Sequence, residues 1–167
     1  MKSIIATALA LLLNLNLIAQ SKESVFIGTK EVISSKILNE NRKVWIYLPN
    51  NTSQIKNLSK RYPVMYLLDG EAHFYSTVGT IQQLSQANGN GVLPEMIVVA
   101  IENTNRLRDL TPSIDRNNPN SFVGFLSNEL IPYIDNNYPT APYRLLVGHS
   151  LGGLTAIDIL SNNPALF

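Results

Sequence analysis

An α/β fold built on a mostly parallel sheet with helices on both faces is predicted by three features of this 167-residue chain. Its apolar runs are short and almost unbroken, they alternate with segments of helical spacing, and the last of them opens directly into a glycine-rich turn and a helix. Unbroken apolar strands are buried on both faces, the condition of a parallel sheet covered by helices. With 45% hydrophobic and 15% charged residues and a mean hydropathy of +0.04, the chain has the composition of a packed globular protein with one core.

The first 19 residues read as a secretory signal. Lys2 precedes the mostly apolar stretch Ile4 to Leu13, and Asn14 to Gln20 carries a small residue, Ala19, after which cleavage is expected. Asn14 and Asn16 interrupt the stretch well short of the roughly 20 apolar residues a membrane span requires. Residues 20–167 are thus expected as the mature part, exported to the periplasm or the medium without a membrane anchor. Of 13 basic and 12 acidic residues, removal of Lys2 leaves 12 of each, so no field attracts a polyanion and nucleic acid is not an expected partner. The chain has no cysteine and only two histidines, His73 and His149, which argues against a disulfide scaffold, a thiol nucleophile or a histidine metal centre; no cofactor or metal is expected.

Val25 to Leu38 reads as one or two strands and Arg42 to Leu48 as a β-branched and aromatic strand closed by Pro49, so a hairpin turning at Asn39-Glu40-Asn41 is expected. A polar loop follows, and then Pro63 to Leu68 forms a buried strand that ends at Asp69-Gly70. Val78, Ile81 and Leu84 repeat at helical spacing before Asn88 to Gly91 stops the helix, and Met96 to Ile101 is the next strand. Glu102 to Asn118 is a long polar connection and so a candidate site. Phe122, Phe125, Leu126, Leu130 and Ile134 mark a helix that Pro132 should kink, Leu145 to Val147 a short strand, and Leu154, Ile157 and Leu160 a last helix.

The chemistry is concentrated between those last two elements, in Gly148-His149-Ser150-Leu151-Gly152-Gly153. A bare G-x-S-x-G arises by chance in roughly 5% of chains this long, but here it joins a buried strand to a helix, the context of a nucleophile elbow. A serine on so tight a turn sits in strained backbone, and strand and helix approach so closely that glycine is needed two residues before and two after, at Gly148 and Gly152. The N–H of Leu151 then lies at a helix N-terminus, where free donors and the dipole favour an oxyanion.

These residues, with Arg42 to Pro49, Tyr62 to Gly70, Asn105 to Pro112 and Glu129 to Ile134, give the chain from Lys36 to Phe167 a resemblance to the putative-esterase family of the α/β-hydrolase superfamily, which groups esterase D-like, feruloyl-esterase-like and enterochelin-esterase-like enzymes. The resemblance implies that Ser150 is the acyl-accepting nucleophile, that the strand ending at Asp69-Gly70 lies beside the strand ending at Gly148, and that a second oxyanion donor is a backbone N–H after Gly70, that of Glu71 or, as second choice, Ala72. It also implies a triad acid and histidine after the serine, whereas only 17 residues follow Ser150, with Asp158 and no histidine among them. Residues 20–167 therefore read as the N-terminal portion of one such domain, ending after the elbow helix, with an unpaired edge at Leu145 to Val147. The chain alone is expected to be inactive, because serine needs an adjacent base.

The remaining polar residues admit more than one role. His73 either fixes the oxyanion loop by a hydrogen bond, the plainer reading, or touches substrate; His149 should point behind the turn rather than act as base. Asp69 is expected to hold its loop through backbone N–H groups. Arg106, Arg108 and Asp109 either line a substrate cleft, with Arg106 the candidate contact, or form a solvated ion-pair cluster. Trp45 and Tyr47 read as sheet-face residues. The expected substrates are small-molecule or glycan esters such as acylated carbohydrate; a siderophore ester is the alternative, and a non-catalytic binding module on the same scaffold is the reading from another class.

Overall fold

The computed structural model describes residues 24–49, 60–87, 91–113 and 120–167; the expected signal segment and the polar segment 50–59 lie outside them. Five strands form one sheet of order β1-β2-β4-β3-β5, with β1 Thr29–Ser35, β2 Glu40–Tyr47, β3 Tyr62–Leu67, β4 Ile97–Ile101 and β5 Thr140–Val147. β1, β2 and β4 pair antiparallel, whereas β3 runs parallel to both β4 and β5. The α/β class with an antiparallel hairpin at its start is as predicted, but the hairpin turns at Lys36 to Asn39, with Asn39 at φ 53°, and β2 already begins at Glu40. Asparagine tolerates that left-handed corner better than most residues.

Alternation within each strand divides the core. Val44, Ile46, Val64, Tyr66, Val99 and Ile101 face one side of the sheet, where Phe122, Phe125, Leu126, Leu130, Ile134 and Ile159 cover them. Trp45, Tyr47, Leu67, Val98 and Ala100 face the other, under Phe74, Val78 and Ile81 of α1, Gly70–Gln82. All five residues of β4 are buried, as befits a strand with a neighbour on each edge and a layer on each face. Burying a side chain of this size contributes about 1.5–3 kcal/mol, so the central strands dominate the stability.

The opposite face is covered by α3, Ser121–Phe125, and α4, Ile131–Asn137, joined through a π-helical turn at Leu126–Leu130. Pro132 sits in the first turn of α4, where its missing N–H is tolerated, and the wider π turn just before it absorbs the disruption expected there as a kink. β5 is longer than Leu145 to Val147 because it also pairs at Thr140; Pro142 falls within the register irregularity between the Tyr62 and Val64 pairs, the kind of place where a strand tolerates proline. Among the described residues β5 pairs only with β3, leaving the expected edge, and α5, Leu151–Asn162, exposes Leu154, Ile157 and Leu160 beside it. None of the helices among the described residues is long and apolar enough to cross a membrane.

Candidate active site

Two turns at the C-terminal ends of neighbouring parallel strands build the site. Leu67 of β3 is in register with Val147 of β5, and the N–H of Leu68 donates to the Val147 carbonyl at 2.9 Å, so the chain leaves both strands side by side. From β5 it passes through Gly148 and His149 to Ser150, which adopts φ 56° and ψ −115° before α5 begins at Leu151. That conformation is left-handed in φ and unfavourable for a residue with a Cβ. It is enforced by packing: a Cβ on Gly148 would lie 2.4 Å from the carbonyl carbon and oxygen of Gly152, and one on Gly152 would lie 3.3 Å from Oδ2 of Asp69 and 3.4 Å from Cβ of Leu68. Ser150 is exposed and its hydroxyl caps nothing on α5. The N–H of Gly152 is engaged by the His149 carbonyl at 3.0 Å; that of Leu151, in the first helical position, has no carbonyl one turn back to accept it.

The second turn carries β3 through Leu68 and Asp69 to α1. Gly70 is pressed so closely on the end of β4 that a Cβ would come within 2.6 Å of the Ala100 carbonyl carbon and of the Ile101 nitrogen. Asp69 is buried, 6% exposed, with φ 54° and ψ 44°. The N–H of Ala72 donates to the Asp69 carbonyl at 3.0 Å, which engages the second-choice donor and leaves Glu71 as the candidate on this side. His73, half-buried, meets the exposed ring of His149 edge to face at 6.0 Å between centroids, a contact that ties the first turn of α1 to the elbow.

Asp69 does not hold its turn through backbone N–H groups as the sequence suggested. Its carboxylate accepts from Nε and Nη2 of Arg106 at 2.6 and 3.0 Å and from Nδ2 of Asn103 at 2.8 Å. Burial alone pushes this carboxyl up, but the hydrogen bonds from Arg106 and Asn103, with the Arg106 charge, outweigh it and hold the group below its ordinary value. Asn103 also donates Nδ2 to Oε1 of Glu71 at 2.9 Å and its N–H to Oε2 at 3.2 Å, which ties the Glu71 side chain to the connection after β4. Asn103 was not singled out from sequence, and no motif flags a lone asparagine in a polar loop.

Arg106 belongs to a short helix within the stretch that reads in sequence as a polar connection, α2, Arg106–Leu110, capped by Asn105, whose side chain accepts from the N–H of Arg108 at 3.1 Å. The cap followed by Leu107 and Leu110 at helical spacing was the available signal. Arg108 and Asp109 form an ion cluster with a buried end and a solvated one: Asp109, 1% exposed, accepts from Nη1 of fully buried Arg42 at 2.6 Å and from Nε of Arg108 at 2.7 Å, and exposed Arg108 also holds Glu40. Both arginines bonded to Glu40 lower its carboxyl to about 2, Arg108 the more strongly. A cavity of about 280 Å³ is lined by Arg108, Asp109, Asn120 and Phe122, and none of Ser150, Leu151, Glu71 or His73 borders it. Trp45 and Tyr47 are buried sheet-face residues, as expected.

A family model described as putative esterase matches residues 35–167. The chain is 29% identical over 156 residues to the ferri-bacillibactin esterase BesA of Bacillus subtilis, covering 77% of this chain and 52% of that protein. It is 30% identical over 132 residues to an endo-1,4-beta-xylanase/feruloyl esterase of Xylanibacter ruminicola, covering 73% of this chain and 18% of that protein. An IroE-like serine hydrolase from Shewanella oneidensis superposes with a TM-score of 0.73 at 35% identity, over 84% of this chain and 48% of that one. The chain spans about half the length of the first curated relatives it matches. On a match that begins at the end of β1 and takes in β2 to β5 and both turns, the chain belongs to the putative-esterase family.

Proposed function

We propose that the whole protein hydrolyses carboxylic esters through an acyl-enzyme formed at Ser150. The observation that carries the reading is the backbone of exposed Ser150, held at φ 56° on a turn where Gly148 has no room for a side chain. In this scheme Oγ of Ser150 attacks the ester carbonyl carbon and passes its proton to a general base; the carbonyl oxygen gains the negative charge between the N–H groups of Leu151 and Glu71. Collapse breaks the carbon–oxygen bond to the alcohol, which leaves with that proton, and water then cleaves the acyl-enzyme by the same route. The base and its acid belong to the part of the domain that these residues do not supply, consistent with relatives about twice as long. Removal of one oxyanion donor typically costs about 10²–10³ in kcat.

The substrate reading has two branches, each with a relative behind it. The xylanase/feruloyl esterase favours an ester on carbohydrate, and BesA favours a ferric siderophore ester. The leader with its expected cleavage after Ala19 supports a protein that works outside the cytoplasm in either case. Steady-state hydrolysis by the full-length protein of methyl ferulate, acetylated xylose and a ferric tricatecholate triester separates the branches: a kcat/KM roughly a hundredfold higher on one class is expected. Turnover of none of them, with the full-length protein folded, would leave only the non-catalytic module.

A further inference from the structure

The clearest departure from ordinary helix chemistry lies at the start of α1. An aspartate at a helix N-cap normally sits in extended backbone and turns its carboxylate onto the N–H of the second or third helical residue, here Glu71 or Ala72. Asp69 does neither: its backbone is left-handed and its side chain makes no capping bond. The carboxylate is instead drawn sideways by Nε and Nη2 of Arg106, with Asn103 on the same oxygen as Nε, against the first turn of α5 where Gly152 leaves space for it. Ala72 is satisfied by the Asp69 carbonyl, so Glu71 carries the N–H that a capping carboxylate would claim.

From this geometry, and resting on the hydrolytic reading above, we infer that Arg106 is a positioning residue that keeps the Asp69 carboxylate out of the oxyanion hole. A negatively charged side chain seated on the Glu71 N–H would occupy the place of the developing oxyanion and repel it. The Arg106 pair prevents this in two ways. It fixes the direction of the carboxylate, and it holds the left-handed conformation from which Asp69 cannot reach its own helix; without it Asp69 relaxes to the extended conformation usual for a cap and closes the hole. The role depends on the fork of the guanidinium, since both nitrogens bond the same carboxylate, and a lysine offers a single point of attachment. Arg106 is thereby distinguished from a residue that touches substrate, although its side chain is 40% exposed.

A double-mutant cycle in the full-length protein tests this on a small soluble ester such as p-nitrophenyl butyrate. Arg106→Ala is expected to lower kcat roughly tenfold or more with KM changed by less than about twofold, and Arg106→Lys to recover only part of the loss. Glycine accepts the left-handed backbone and has no carboxylate to misplace, so in an Asp69→Gly background the further change Arg106→Ala should alter kcat by less than about twofold, whatever Asp69→Gly itself costs. Equal losses from Arg106→Ala in both backgrounds would mean that Arg106 meets substrate directly and would overturn the inference. So would a crystal structure of Arg106→Ala with Asp69 still left-handed and its carboxylate off α1, a result that needs no activity. An active wild-type protein indifferent to Arg106→Ala overturns the positioning role alone; an inactive wild-type protein overturns the hydrolytic reading and this role together.

Discussion

Two buried aspartates, each held by an arginine, mark two corners of this molecule, and the same short helix serves both. α2 sends Arg106 to Asp69 at the mouth of the sheet and offers Asp109 to Arg42 beneath α3. At the inner corner the central pair is enclosed: Arg42 is fully buried, stacked over Phe122 and Phe125 at 5.5 and 5.8 Å, and Asp109 is 1% exposed. At the mouth the arginine is partly open and the aspartate stands on strained backbone beside a second strained turn. The contrast shows what each pair is for. The inner pair anchors a long connection to the hairpin, and the outer one spends its bonding on holding a conformation the chain would otherwise leave.

The largest effect that separates the corners is on stability. Arg42→Ala strands the Asp109 carboxylate in the core, where only Arg108 remains to it, and should cost about 3–5 kcal/mol by urea unfolding. Arg106→Ala should cost only about 1 kcal/mol, because Asp69 can turn to the first-turn N–H groups of α1 and cap it. Equal losses would erase the distinction between anchor and positioning device.

A smaller effect concerns acid. Glu40, bridged to Arg42 and Arg108, has its carboxyl lowered from 4.5 to about 2. A depressed carboxyl stabilises the fold fully above its unfolded value and loses that contribution as pH falls through the folded one. Stability should therefore decline between about pH 4.5 and 2, and Glu40→Gln should flatten that limb while leaving its slope near neutrality unchanged. An identical acid limb in the variant would remove Glu40 from the cluster's energetics.

How much of this was legible follows from how local each signal is. The elbow was readable because strand, glycine spacing and helix stand next to one another in the chain, and the pairing of β3 with β5 followed from the family resemblance. The central strands were readable as unbroken apolar runs such as Ile97 to Ile101, but which of their residues face which layer was not, because an all-apolar run carries no alternation to mark its faces. The roles of Asp69, Asn103 and Arg106 were not readable, because their partners come from separate elements and nothing local distinguishes an aspartate that caps from one that is pulled away. Likewise the Arg42 cluster joins β2 to α2, and in sequence its members look like ordinary surface charges. The π turn before Pro132 escaped for a different reason: a proline predicts disruption, but neighbouring packing decides which form it takes.

The central claim is that position 150 bears a reactive hydroxyl on a strained turn. Treating the folded full-length protein with a fluorophosphonate and measuring intact mass, followed by peptide mapping, tests it most directly. One covalent adduct on Ser150, absent from Ser150→Ala, is the predicted result; a folded protein that acquires no adduct, or acquires it at another residue, would contradict the account.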